Sequence, residues 1–358
     1  MTIQINGRAI GLDSPPYFIA DIAASHDGSL QRAVDLIGLA AEAGADAAKF
    51  QNFTAAEIVS DRGFRELGTS LSHQAKWSKS VFEVYEEASI PHEWTPVLKQ
   101  ACDDSGIDYF SAAYDFDAVD MLEAHVPAYK IGSGDIDWLE MLEYTASKGK
   151  PILLATGASH IGEVARAVLA IQRHTSEIVL MQCNTNYTAS LENFAHIHLK
   201  VLQSYSATFP ELVLGLSDHT PGHATVLGAI ALGARAIEKH FTDDVNRDGP
   251  DHAFSMDPKS WREMVEVSRE LGQALGSPLK QVAQNETETS IIQRRAVRAR
   301  RTLNMGHVIQ RSDFAVVRPA TPGAISASAV EYVIGMKLQR DVESDEAISW
   351  GDVSPSSA

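Results

Sequence analysis

Residues 212–241 read LVLGLSDHTPGHATVLGAIALGARAIEKHF. LVLGLSDH (212–219) and ARAIEKHF (234–241) are short hydrophobic runs, each ending in a charged cluster that holds a histidine, and a helix-like segment separates them. Two strands joined by a helical crossover read as a parallel βαβ unit. His219 and His240 then stand at the same end of two neighbouring strands.

Working outward, six further runs of strand length precede this pair: YFIADIA (17–23), ADAAKFQ (45–51), DYFSAAY (108–114), AYKIGSG (128–134), PILLATG (151–157) and IVLMQCN (178–184). They are apolar without polar alternation, as strands buried on both faces are. Helix-period segments such as 29–45 and 117–125 lie between most of them. Eight strands alternating with helices predict an α/β fold, a (β/α)8 TIM barrel, over residues 1–276. The longest interruption, 52–80, is expected to cover part of the face where the strands end. After the helix-like 258–276 the pattern changes: 277–293 is expected to be a linker, and 294–358 a small, mostly β module with a turn at NMGH (304–307). No internal repeat is visible.

The 358-residue chain carries a net charge of −17, which argues against a nucleic-acid partner and against an anionic membrane. An anionic substrate must be held by a few local cations. RRAVRARR (294–301) is the exception in sign, and it reads as the solvated face of a strand or an intersubunit contact. Cys102 and Cys183 have no metal-ligand spacing. The start has no signal-peptide pattern and no apolar run reaches membrane length, so a cytoplasmic protein is expected.

Active sites of such barrels lie at the carboxyl ends of the strands. Strand one offers Asp21 there, strand two Lys49 and Gln51, and strand four Lys130, Ser133 and Asp135. Strand six ends near Thr185 and Tyr187, strand seven in Ser217 and His219, strand eight in Glu238 and His240. Charges buried without partners lose their hydration, so such a set calls for ligands. The two histidines are either joint ligands of one divalent ion or two separately hydrogen-bonded core residues. His223, four residues past His219, is a weak metal signal because TPG between them suggests a turn. Lys49 and Lys130 are either anion holders or members of salt bridges with Asp21, Asp135 or Glu238. In KIGSGD (130–135), a glycine-bracketed serine could meet a phosphate or carboxylate.

With these residues placed, the segments IADIAASHDGSL, GADAAKFQ, VPAYKIGSGDI, SKGKPILLATG, LSDHTPG, GARAIEKHFTDD, GPDHAFSM and VVRPATPG, in this order, resemble the sialic acid synthase family. Its members condense phosphoenolpyruvate with an N-acylated hexose to give nine-carbon keto sugar acids, and its small C-terminal module is similar to type III antifreeze proteins. The resemblance implies that His219 and His240 hold a divalent ion, manganese or magnesium, and that Lys49 and Lys130 hold phosphate beside Ser133 and Ser217. It places sugar contacts on Gln51, Tyr187, Glu238 and Asp251. Arg318 would reach in from a partner subunit, which implies a domain-swapped homodimer. Asp21, Glu238 and Asp135 are then the candidates for moving protons and steadying positive charge.

The chain departs from the family at several positions. Asp21 and Asp135 stand for glutamates, Ala112 for a threonine, Ala155 for a serine and Thr185 for an asparagine. Each donor lost at a phosphate is worth about 1–3 kcal/mol if the anion keeps the same pose. The acceptor is left open among N-acetylmannosamine, a diacetamido sugar of the legionaminic or pseudaminic type and a phosphorylated sugar. Two rival readings are a barrel metal hydrolase, for which DIAAS (21–25) lacks the expected His-x-His, and a binding protein that has lost its chemistry.

Overall fold

In the computed structural model, which describes residues 2–67, 74 and 77–356, the unit at 212–241 forms two adjacent parallel strands of a closed barrel. An antiparallel hairpin comes first, β1 (Thr2–Ile5) with β2 (Arg8–Gly11). Asn6 and Gly7 turn it with φ of 48° and 77°, the left-handed pair that an Asn-Gly loop supplies. The barrel strands are β3 (Tyr17–Asp21), β4 (Ala47–Asn52), β5 (Asp108–Ala113), β6 (Tyr129–Ile131), β7 (Ile152–Ala155), β8 (Ile178–Cys183), β9 (Val213–Asp218) and β10 (Ala234–His240). They close in the order β10-β3-β4-β5-β6-β7-β8-β9, all parallel. The (β/α)8 expectation holds strand for strand.

Side chains alternate between the two faces of a strand. Tyr17, Ile19, Ala47, Phe110, Ala128, Leu153, Val179, Met181, Val213 and Ala236 point into the barrel and pack with Ile3, Ile5 and Ile10 of the hairpin. Their neighbours, among them Phe18, Ala48, Phe50, Tyr109, Leu154, Leu180 and Ile237, pack outward under the helices. The helix Leu30–Glu42 shows the matching period, burying Ala33, Leu36, Ile37 and Ala40, and the Ser29 side chain caps it by accepting from the Arg32 amide. The helix Pro258–Leu275 starts with Pro at its first turn and an Asp257 cap on the Ser260 amide. Gly215 is inward-facing where no side chain fits: a Cβ there would stand 2.8 Å from the Ala236 carbonyl oxygen.

Following each inward face to the carboxyl end gives Asp21, Lys49, Ala112, Lys130, Ala155, Cys183, Ser217 and Glu238. The ladders keep these in line, with His240 opposite Asp21, Asp21 opposite Lys49 and Glu238 opposite Ser217. The same alternation that fills the amino half with apolar groups gathers the charges in the other half.

The chain divides into two compact units, Met1–Gly276 and Ser277–Ala358. Within 277–293, expected as a linker, residues Thr287–Ile292 form a short helix. The second unit pairs β11 (Ala296–Ala299) with β12 (Phe314–Val317) and β13 (Met336–Leu338) with β14 (Val353–Pro355) around Val297, Leu303, Phe314 and Ile348. Arg294, Arg295, Arg300 and Arg301 are exposed and Arg298 is half-buried, the solvated strand face expected, and within this unit Arg298 donates to the Asp345 and Pro319 carbonyls, Arg300 to that of Phe314, and Arg301 to the Asp313 carboxylate. Among the described residues no helix is long and apolar enough to cross a membrane.

Candidate active site

A cavity of about 380 Å³ opens at the carboxyl end of the barrel. Asp21, Lys49, Gln51, Lys130, Ser133, Asp135, Tyr187, Ser217, His219, Glu238, His240 and Asp251 all line it. Twelve of the fourteen residues singled out in the sequence therefore meet in one volume. Arg318 belongs to the second unit, where its Nε donates to the Gln293 carbonyl at 2.6 Å. Thr185 is off the cavity wall, a correction to its expected place: its methyl lies over Gly157, where a Cβ would come within 2.5 Å of it.

The anionic and cationic groups are interleaved. Lys49 Nζ lies 2.6 Å from Asp21 Oδ2 and 3.8 Å from Glu238 Oε2, and Lys130 Nζ lies 3.4 Å from Glu238 Oε1. Ser217 Oγ donates to Glu238 Oε1 at 3.0 Å. Burial works against ionising Glu238, yet Lys130, Lys49 and the Ser217 hydroxyl outweigh it and hold its pKa at about 2. Burial likewise disfavours the Lys49 ammonium, and Asp21 and Glu238 more than restore it. Asp21 is pushed up by burial, against the pull of Lys49. Asp135 and Asp251 are raised by burial to about 6, close enough to neutrality to give and take protons. One fixed carboxylate thus stands among three that titrate more easily.

Ser133 accepts from the Gly157 amide at 2.8 Å, which turns its hydroxyl hydrogen toward other acceptors. Ala155, on the cavity wall, offers no side-chain donor.

The histidines lie beside this charged set. Their ring centroids are 5.3 Å apart, with Tyr187 4.2 Å from His219 and Phe254 4.8 Å from His240. Burial lowers both pKa values to about 3, helped at His219 by His240 and at His240 by Lys49, so both rings are neutral. His219 Nδ1 lies 2.9 Å from the Asn184 carbonyl oxygen, which fixes the proton there and leaves the Nε2 lone pair available. His240 Nε2 is 3.5 Å from Asp21 Oδ2 and its Nδ1 is 4.0 Å from Asp251 Oδ2. His223 stays apart, ahead of the helix Ala224–Ala231 and behind the turn at Gly222.

Three buried polar atoms here lack a hydrogen-bond partner: Asp21 Oδ1, Glu238 Oε2 and His240 Nδ1. Buried polar atoms are ordinarily satisfied, so orphans that converge on one cavity point to a ligand. Two neutral imidazoles with a free lone pair suit a borderline divalent ion. Among the described residues no cluster of three or more His, Cys, Asp or Glu is arranged to hold a metal, so the histidine pair is what this cavity offers an ion.

A model of the NeuB family matches residues 36–280, and one of the SAF domain matches residues 294–354. The chain belongs to the NeuB family. The spore coat polysaccharide biosynthesis protein SpsE of Bacillus subtilis is 33% identical over 369 residues, 98% of this chain and 96% of that protein. Its crystal structure covers 100% of both chains at a TM-score of 0.65 and 30% identity. The N,N'-diacetyllegionaminic acid synthase of Legionella pneumophila is 32% identical over 97% of each chain. The solved N-acetylneuraminic acid synthetase of Leptospira borgpetersenii, in complex with citrate, aligns with a TM-score of 0.71 and 26% identity over 81% of this chain and 95% of that one.

This NeuB chain also uses residues that the motifs did not single out. Cys183 sits in the cavity wall, and Phe53, Tyr85 and Tyr114 form an aromatic side of it, with Phe53 5.7 Å from Tyr114 and 5.4 Å from Tyr85. Alternation alone would have found three of them: Phe53 follows Lys49 and Gln51 on one face, Tyr114 follows Phe110 and Ala112, and Cys183 follows Met181. From the long interruption, Phe53, Ile58 and Trp77 do line the cavity, while residues 68–73, 75 and 76 of that segment lie outside the described residues.

Proposed function

We propose that this chain condenses phosphoenolpyruvate with an open-chain N-acylated hexosamine, giving a nonulosonic acid and inorganic phosphate. The observation that carries this reading is the set of groups gathered in one cavity: two buried lysines, two neutral histidines and carboxylates of unequal acidity among them. The names of the legionaminic and neuraminic acid relatives support it.

Lys49 and Lys130, with the Ser133 and Ser217 hydroxyls, would neutralise the phosphate and carboxylate of phosphoenolpyruvate. A divalent ion, manganese or magnesium, held by His219 and His240 would supply Lewis-acid polarisation of the sugar aldehyde. C3 of phosphoenolpyruvate bonds to the aldehyde carbon, and water adds at C2, where positive charge develops. The proton lost by that water balances the one gained by the aldehyde oxygen. Collapse of the resulting phosphate hemiketal breaks the C–O bond and leaves a ketone. Glu238, ionised and fixed, would steady the charge at C2, and Asp135, Asp21 and Asp251 would relay protons. Gln51 and Tyr187 would contact the sugar. Arg318 of a second copy would complete the site in a domain-swapped homodimer; a monomer by light scattering at working concentration would remove that part.

The test is phosphate release from phosphoenolpyruvate with manganese, across N-acetylmannosamine, a diacetamido hexose and a phosphorylated N-acyl sugar, with and without chelator. Release that depends on both metal and one aldose is expected. Release with none of them would overturn the reading.

A further inference from the structure

Each histidine of the pair directly follows one member of a buried ion pair that the mechanism does not use. Asp218 and Lys239 are register partners on β9 and β10, and alternation turns them outward, away from the cavity that Ser217, Glu238 and His240 face. Lys239 Nζ donates to Asp218 Oδ2 and to the Thr220 carbonyl, both at 2.5 Å. Asp218 also accepts from the Thr225 hydroxyl at 2.7 Å, from the Thr220 hydroxyl at 2.8 Å and from the Thr220 amide at 3.3 Å. Asp218 and Lys239 are 2% and 1% exposed.

These bonds grip the backbone on both sides of His219, at 218 and at 220, and tie it to the residue before His240. Thr225 adds the first turn of the helix that follows. A buried ion pair is a poor source of net stability, because desolvation of both charges offsets their attraction and apolar replacements of like volume often serve as well. The best-attested use of such pairs is to fix register.

We propose that the Asp218–Lys239 pair is a positioning device for His219 and His240, setting the separation at which the two imidazoles share one divalent ion; this rests on the reading of those histidines as metal-holding residues. Neither residue lines the cavity. The arrangement acts as an outer-shell support through the backbone, and outer-shell partners of metal ligands typically govern 10–100-fold in affinity.

The experiment compares the wild type, the double variant Asp218→Leu/Lys239→Met, which leaves neither charge buried alone, and His240→Ala. Manganese affinity is read from the electron paramagnetic resonance signal of the free ion, beside circular dichroism and the KM for phosphoenolpyruvate. The double variant is expected to keep a native spectrum and a KM within about twofold, while its manganese dissociation constant rises about 10-fold or more. If it does not fold, Thr225→Val, which removes one bond to Asp218, carries the comparison with an expected rise of about two- to threefold. A folded variant that binds manganese like the wild type overturns the positioning role and leaves the metal reading intact. A wild type that binds manganese no better than His240→Ala overturns both.

Discussion

The two ends of the barrel interior are built by the same eight strands with the same alternation, yet one is stoppered by Ile3, Ile5, Ile10, Tyr17 and Phe110 while the other is lined by Asp21, Lys49, Lys130 and Glu238. At the amino end, inward residues lose water and gain packing, which stabilises the fold. At the carboxyl end, inward residues lose water and gain charge partners, with several polar atoms left over. The difference separates what holds this barrel together from what it is for.

The comparison breaks most sharply at Lys130. Lys130→Met is expected to lower kcat/KM for phosphoenolpyruvate about 100- to 1,000-fold, in steady-state phosphate release. Its urea unfolding midpoint should fall as well, because Glu238 stays buried without the cation that does most to hold it ionised, and removing one partner of a buried pair costs about 3–5 kcal/mol. A large loss of stability with activity retained would recast the charged end as structural.

The reverse experiment is Ile10→Ala in the stopper. A cavity there should cost about 2–5 kcal/mol in urea unfolding, with kcat per folded molecule within about twofold of wild type.

A smaller effect sharpens the contrast through pH. Asp135 is raised to about 6 by burial, so between its unfolded value near 3.8 and about 6 the folded state holds a proton that the unfolded state has lost. Stability from this group is present below that window and is lost as pH rises through it. Asp135→Asn should abolish that component. Measured as the difference between wild-type and variant unfolding free energies at pH 4 and pH 7, it amounts to at most about 3 kcal/mol.

How much of this was legible beforehand follows the physics of each signal. The barrel strands are buried on both faces, so they appear as unbroken apolar runs, and counting them sufficed. The charged strand ends stood out because Lys49, Lys130, Glu238 and the histidines are costly in such places. The hairpin is signalled by Asn6-Gly7 between isoleucines, but its strands are four residues long and half-exposed, so they do not appear as unbroken apolar runs. Cys183, Phe53 and Tyr114 are unremarkable as residue types, and only alternation places them, at the end of β8 for Cys183 and one residue past the strand for Phe53 and Tyr114. Thr185 fails for the opposite reason: beyond Cys183 the chain leaves β8, and parity no longer says where a side chain points. Asp218 and Lys239 look as catalytic as their neighbours in sequence, and only the register turns them outward.

The hairpin has one more effect. With Ile3, Ile5 and Ile10 closing the floor, the barrel is a blind tube, and a molecule reaches Lys49 and Lys130 from the carboxyl end of the strands. Traffic in such a vessel is last in, first out: whatever binds deepest must arrive before the guest above it, and cannot leave until that guest has gone.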